Sequence, residues 1–147
     1  MSARFPPGTA QVLLIEPDNL QRGTVASVCR DLLLVRLQQA TSLALAQQVL
    51  QSCPVQGLML SLAEGDAALD LLERLRERAF ACDAAIPVVV MGTACTKEQA
   101  VRLKALEVRR LLLQPFRLRD LIHTVEQVWP AAQAAAAQRE PSDSAVS

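Results

Sequence analysis

The chain has 147 residues, 51% of them hydrophobic and 20% charged, so one domain with a true core is expected and disorder throughout is excluded. Fifteen basic side chains balance fifteen acidic ones, which removes the overall positive field of a nucleic-acid binder. No apolar run approaches the ~18 residues that span a bilayer and no secretory stretch opens the sequence, so a cytoplasmic protein with no membrane partner is expected.

Residues 1–10, with Pro6, Pro7 and Gly8, read as a flexible lead-in. The run Val12-Leu13-Leu14-Ile15 predicts a strand buried on both faces. Val25, Val28, Cys29 and Leu32 then follow the i, i+3, i+4, i+7 rule of a helix. Leu33-Leu34-Val35, with Leu37 just beyond, predicts a second strand. A weaker helical stripe at Leu43, Ala46, Val49 and Leu50 is ended by Pro54. Gly57-Leu58-Met59-Leu60 predicts the third strand, and Ala68, Leu71, Leu72 and Leu75 the third helix, which Asp66 is expected to cap. Val88-Val89-Val90-Met91 predicts the fourth strand, followed by a helix through Ala100, Leu103 and Leu106 with Thr96 as its cap. Leu111-Leu112-Leu113, closed by Pro115, predicts the fifth strand. Leu118, Leu121, Ile122 and Val125 mark the last helix, and Trp129 is read as a cover for the end of the core. The domain therefore spans 11–129, and the Ala-rich 130–147 reads as a tail or linker.

Five strand–helix repeats mean a parallel sheet with helices on both sides, since each crossover returns the chain to the same direction. Five strands are too few for an eight-stranded barrel, so the fold class is α/β, an open three-layer (βα)5 sandwich. Cys29, Cys53, Cys82 and Cys95 form no CxxC pair, and the single histidine, His123, is read as a surface residue. No metal site and no cofactor are expected from that set. Neither a nucleophile elbow nor a phosphate-binding glycine loop is present, so no enzyme is expected.

In such a sheet ligands bind beyond the carboxyl ends of the strands. The residues there are Glu16, Pro17 and Asp18, then Ser61, Leu62 and Ala63, then Gly92 and Thr93, and finally Gln114 and Pro115. Together with Ile86-Pro87-Val88-Val89-Val90-Met91, Ala100-Val101-Arg102 and Leu112-Leu113-Gln114-Pro115-Phe116, residues 11–129 resemble the receiver domains of bacterial two-component response regulators. The resemblance implies a flavodoxin-like fold with strand order 2-1-3-4-5, a role in signalling by phosphoryl transfer, and a cis bond before Pro115.

Position by position, the resemblance also exposes departures. Receivers carry two adjacent acids after the first strand that help to hold Mg²⁺; Glu16 matches the first, Pro17 replaces the second, and Asp18 comes one residue late. The phosphoryl-accepting aspartate falls on Ser61 and the hydroxyl residue after the fourth strand on Gly92, with Thr93 next door. Gln114 stands for the lysine and Leu111 for the aromatic switch residue. Mg²⁺ needs several oxygen ligands in near-octahedral geometry, and metal and lysine together neutralise the charge of phosphoryl transfer. A pseudo-receiver, unable to take a phosphoryl group, is expected.

What such a module retains is surface. Residues 97–119 hold seven basic side chains against two acidic ones, a net of +5. Through the resemblance this segment maps to the face of helix four, strand five and helix five, which in receivers mediates dimerisation or partner binding. Arg102, Arg109, Arg110, Leu111, Arg117 and Arg119 are the expected interaction residues, for a second copy or an acidic protein partner. Two readings compete with it. One is a working phosphoacceptor with an atypical pocket; the other is binding of an anionic ligand or nucleic acid by the same basic segment, where Arg117 and Asp120 have RxxD spacing.

Overall fold

A computed structural model describes residues 5–130. The chain alternates strictly between strand and helix: β1 Gln11–Ile15, α1 Asn19–Asp31, β2 Arg36–Ala40, α2 Leu43–Ser52, β3 Gly57–Ser61, α3 Asp66–Arg76, β4 Val88–Gly92, α4 Lys97–Ala105, β5 Arg110–Leu113 and α5 Leu118–Val128. All strand pairs are parallel and the order is β2-β1-β3-β4-β5, as the resemblance implies. Leu13 lies opposite Leu58, Leu60 opposite Val90, and Ser61 opposite Met91, so the ends of β1, β3 and β4 come level.

Alternation along the strands divides the core in two. Leu13, Ile15, Leu58, Leu60, Val88 and Val90 face α2, α3 and α4, where they pack with Leu50, Leu69, Leu72 and Leu75. Val12, Leu14, Met59, Val89, Met91 and Leu112 face α1 and α5, against Val25, Cys29, Leu121 and Val125. β3 and β4 are buried throughout, which is why their sequences are unbroken apolar runs.

The second strand differs from expectation. It is Arg36–Ala40, reading RLQQA, while Leu34 and Val35 are buried in the approach to it. As an edge strand it lacks a neighbour on one side, so apolarity is a poor guide to its extent. Leu33 adopts a left-handed φ of 54° at the turn out of α1. Leu32 and Leu118, expected inside helical stripes, are exposed at helix ends.

Helix starts follow side-chain chemistry in three cases. Asp18 accepts from the Gln21 N–H at 2.7 Å and Ser42 from the Leu45 N–H at 3.1 Å. Thr96 caps α4 as expected, in a capping box with Gln99. Asp66 does not cap α3: Gly65, at φ +62°, occupies the cap position and Asp66 is the first helical residue. There a carboxylate still favours the helix through the macrodipole.

The amino end of the sheet is closed by Trp129, whose indole N–H donates to the Gln56 carbonyl at 3.1 Å. A Cβ at Gly57 would collide with this ring, so the close approach requires glycine. Of the expected lead-in, residues 6–9 form a turn in which Thr9 donates to the Pro6 carbonyl, and Ala10 accepts from the Arg36 N–H. The expected tail lies outside the described residues beyond Pro130. No helix among the described residues is long and apolar enough to cross a membrane.

Candidate functional site

The carboxyl ends of β1, β3, β4 and β5 enclose a cleft of about 290 Å³, lined by Glu16, Asp18, Gln21, Ser61, Leu62, Ala63, Gly92, Thr93, Ala94 and Gln114. Six of the seven pocket residues read from the sequence meet there. Pro17 does not: it is exposed beside the cleft.

Glu16 is 3% exposed, the one buried carboxylate of the described residues. Its Oε2 accepts from the Asp18 N–H at 3.1 Å. Burial pushes its pKa above the ordinary value, against the opposing pull of that N–H and of the Ser61 hydroxyl. Arg22, whose charge also opposes the rise, spends its guanidinium on the Glu16 backbone carbonyl at 2.9 Å and on Asn19 at 2.6 Å. Asp18 lines the cleft but is exposed, and its Oδ2 caps α1. Among the described residues, no three His, Cys, Asp or Glu side chains lie where they would hold a metal ion.

Ser61 ends β3, is 6% exposed, and its Oγ accepts from the Ala63 N–H at 3.1 Å, which sets the turn out of the strand. Gly92 faces Leu62: an added Cβ would stand 3.1 Å from Leu62 Cβ and 3.3 Å from its Cδ1. An apolar side chain therefore occupies the space beside the end of β4. Thr93 is exposed on the rim. Gln114 reaches the cleft from the end of β5, and its buried Nε2 has no hydrogen-bond partner among the described residues. The bond from Gln114 to Pro115 is cis, as the resemblance implies.

The expected interaction face separates into two groups. Arg109, Arg110, Arg117 and Arg119 are exposed, and none forms an ion pair among the described residues. Arg109 and Arg110 stand at the start of β5, Arg117 and Arg119 at the start of α5, on either side of a strand rising about 3.3 Å per residue. Val101, Leu113 and Leu118, from α4, β5 and α5, are 65%, 53% and 51% exposed. Arg102 does not belong with them. It turns to α3, 3.0 Å from Asp70 Oδ1 and 3.7 Å from Glu73 Oε1. Leu111 is half-buried against the core under α3 and α4. Sequence spacing gave no sign of the Arg102 pairing, which crosses 32 residues of chain.

His123 is exposed on α5. All four cysteines are free thiols; burial pushes the Cys29 thiol up to about 12 and also raises Cys82, which disfavours the thiolate at both.

Solved structures similar to this one include response-regulator receiver domains. A response regulator from Thermotoga maritima superposes with a TM-score of 0.70 at 20% identity, covering 82% of this chain and 97% of that one. A response regulator receiver protein from Pseudoalteromonas atlantica gives 0.69 at 22% identity, over 80% and 95% of the two chains. A chemotaxis protein of Vibrio cholerae gives 0.71 at 17% identity, over 82% and 99%. No family model and no curated protein sequence matches the chain. The protein thus has the receiver fold, at a sequence distance where the fold is what the likeness establishes.

Proposed function

We propose that this protein is a receiver-fold signalling module that accepts no phosphoryl group and acts through protein contact. The observation that carries this reading is Ser61, which ends β3 in a cleft whose sole buried carboxylate, Glu16, is already hydrogen-bonded to the Asp18 N–H. An acyl phosphate needs a carboxylate at the acceptor position, and an ester on Ser61 would be far more inert. Mg²⁺ demands several hard oxygen ligands. The cleft supplies Glu16 and an Asp18 committed to the first turn of α1, and this donor set does not fit the ion. Gln114 brings an amide rather than a cation, so charge building up in a transferring phosphoryl group would go unneutralised.

The contact surface is carried by Arg109, Arg110, Arg117 and Arg119. Arg117 and Arg119 open α5, where the helix dipole disfavours cations, so their placement serves something other than helix stability. With Val101, Leu113 and Leu118 exposed on the neighbouring elements, the surface suits an acidic protein partner or an acidic patch of a second copy.

Incubation with Mg²⁺ and a small phosphodonor, read by intact mass, is expected to leave the mass unchanged; a gain of one phosphoryl group would overturn the reading. For the surface, proteins retained by the parent chain are expected to be lost by the triple reversal Arg109→Glu/Arg110→Glu/Arg117→Glu and to dissociate as salt rises. An identical retained set would remove the basic surface from the proposal.

A further inference from the structure

α4 has little of its own to hold it. It is nine residues long, below the ~12–15 residues at which an isolated helix becomes even marginally stable in water, and only Leu103 is buried. Leu106 at its C-cap and Val108 just beyond pack on the core, and the surface of α3 offers a further hold.

Along α3, Asp66, Asp70 and Glu73 stand at i, i+4 and i+7, one face of the helix. Along the α4 segment, Gln99, Arg102 and Leu106 stand at i, i+3 and i+7. The two stripes meet at three levels. Gln99 Nε2 donates to Asp66 Oδ1 at 3.4 Å, while its Oε1 accepts from the Thr96 N–H and closes the capping box. Arg102 reaches Asp70 at 3.0 Å and Glu73 at 3.7 Å. At the far end Arg76 of α3 donates to the Leu106 carbonyl at 2.8 Å and to that of Glu107 at 3.4 Å. The same guanidinium binds the carbonyls of Ala84 and Ile86 at 2.7 and 2.8 Å, which ties the strap to the approach to β4.

We propose that α4 takes its position from α3 through this polar strap. Two stretches run from the cleft to the strapped pair: the loop after β4, where Thr93 and Ala94 line the cleft before Thr96 caps α4, and the loop after β3, where Leu62 and Ala63 line it before α3 begins at Asp66. Downstream of the loop after β4, α4 is fastened at its first turn, its middle and its end. This inference does not depend on whether the cleft accepts a phosphoryl group.

The test is hydrogen exchange by mass spectrometry on the whole chain, comparing the parent with Asp70→Ala/Glu73→Ala, which leaves the sequence and cap of α4 intact. Exchange over residues 97–105 is expected to quicken by about threefold or more, with β1, β3 and β4 unchanged. Adding Arg102→Ala to that variant is expected to bring no further increase, because the partners are already gone. Unchanged exchange in α4, an equal rise throughout the sheet, or an additive effect of Arg102→Ala would each overturn the proposal.

Discussion

The two ends of the sheet are built differently. At the amino end two large polar side chains are spent on the backbone: Trp129 covers Gly57 and donates to Gln56, and Arg76 satisfies the carbonyls of Ala84, Ile86 and Leu106. At the carboxyl end Gln114 Nε2 lacks a partner among the described residues, Glu16 carries a carboxyl that burial disfavours as an anion, and Leu62 fills the space beside Gly92. One end holds the fold together; the other forms the cleft that, in the function proposed above, accepts no phosphoryl group.

Substitutions should separate the two ends by size of effect. Trp129→Ala is expected to cost about 3–5 kcal/mol in urea unfolding followed by far-UV circular dichroism, from lost packing and an orphaned Gln56 carbonyl. Gly57→Ala should cost about 1–3 kcal/mol and shift the emission of the single tryptophan to the red as the ring is displaced. Arg76→Ala is expected to lose about 2 kcal/mol, because several carbonyls lose their charged donor together. At the cleft, Gly92→Ala should cost only about 1 kcal/mol, and Leu62→Ala in the same chain should remove that increment, a non-additive pair. A cleft substitution as damaging as Trp129→Ala would break the contrast.

Glu16→Gln gives the smallest effect, and its pH dependence carries the information. Because the folded pKa of Glu16 lies above the unfolded value of 4.5, the native state holds its proton longer, and stability from this group falls as pH rises from 4.5 through the folded pKa. The variant, which cannot ionise, should match the parent below pH 4.5 and become relatively more stable above it. A difference in unfolding midpoint that stays flat with pH would show that the carboxyl is not disfavoured in the fold.

The sheet was legible because its central strands are buried on both faces and so leave unbroken apolar runs. β2 was misplaced for the converse reason: an edge strand of Arg, Leu and two Gln carries no such mark. The residues of the cleft read from the sequence could be found because each ends or closely follows a strand, and the architecture brings strand ends together. Pairings between helices left no trace. Arg102 looked like part of a basic surface because its partners, Asp70 and Glu73, lie a whole βα unit away. Asp66 resembled a cap, yet the turn needed a positive φ that glycine supplies, and Gly65 took the position. Leu62 filling the space at Gly92 is likewise a tertiary fact that neither residue announces alone.

The most direct test is a two-dimensional amide spectrum of the protein titrated with Mg²⁺, then with beryllium fluoride as a phosphoryl mimic. The amides of Glu16, Ser61, Gly92 and Gln114 are expected to stay in place at every step. Saturable shifts clustered on those residues would contradict the account.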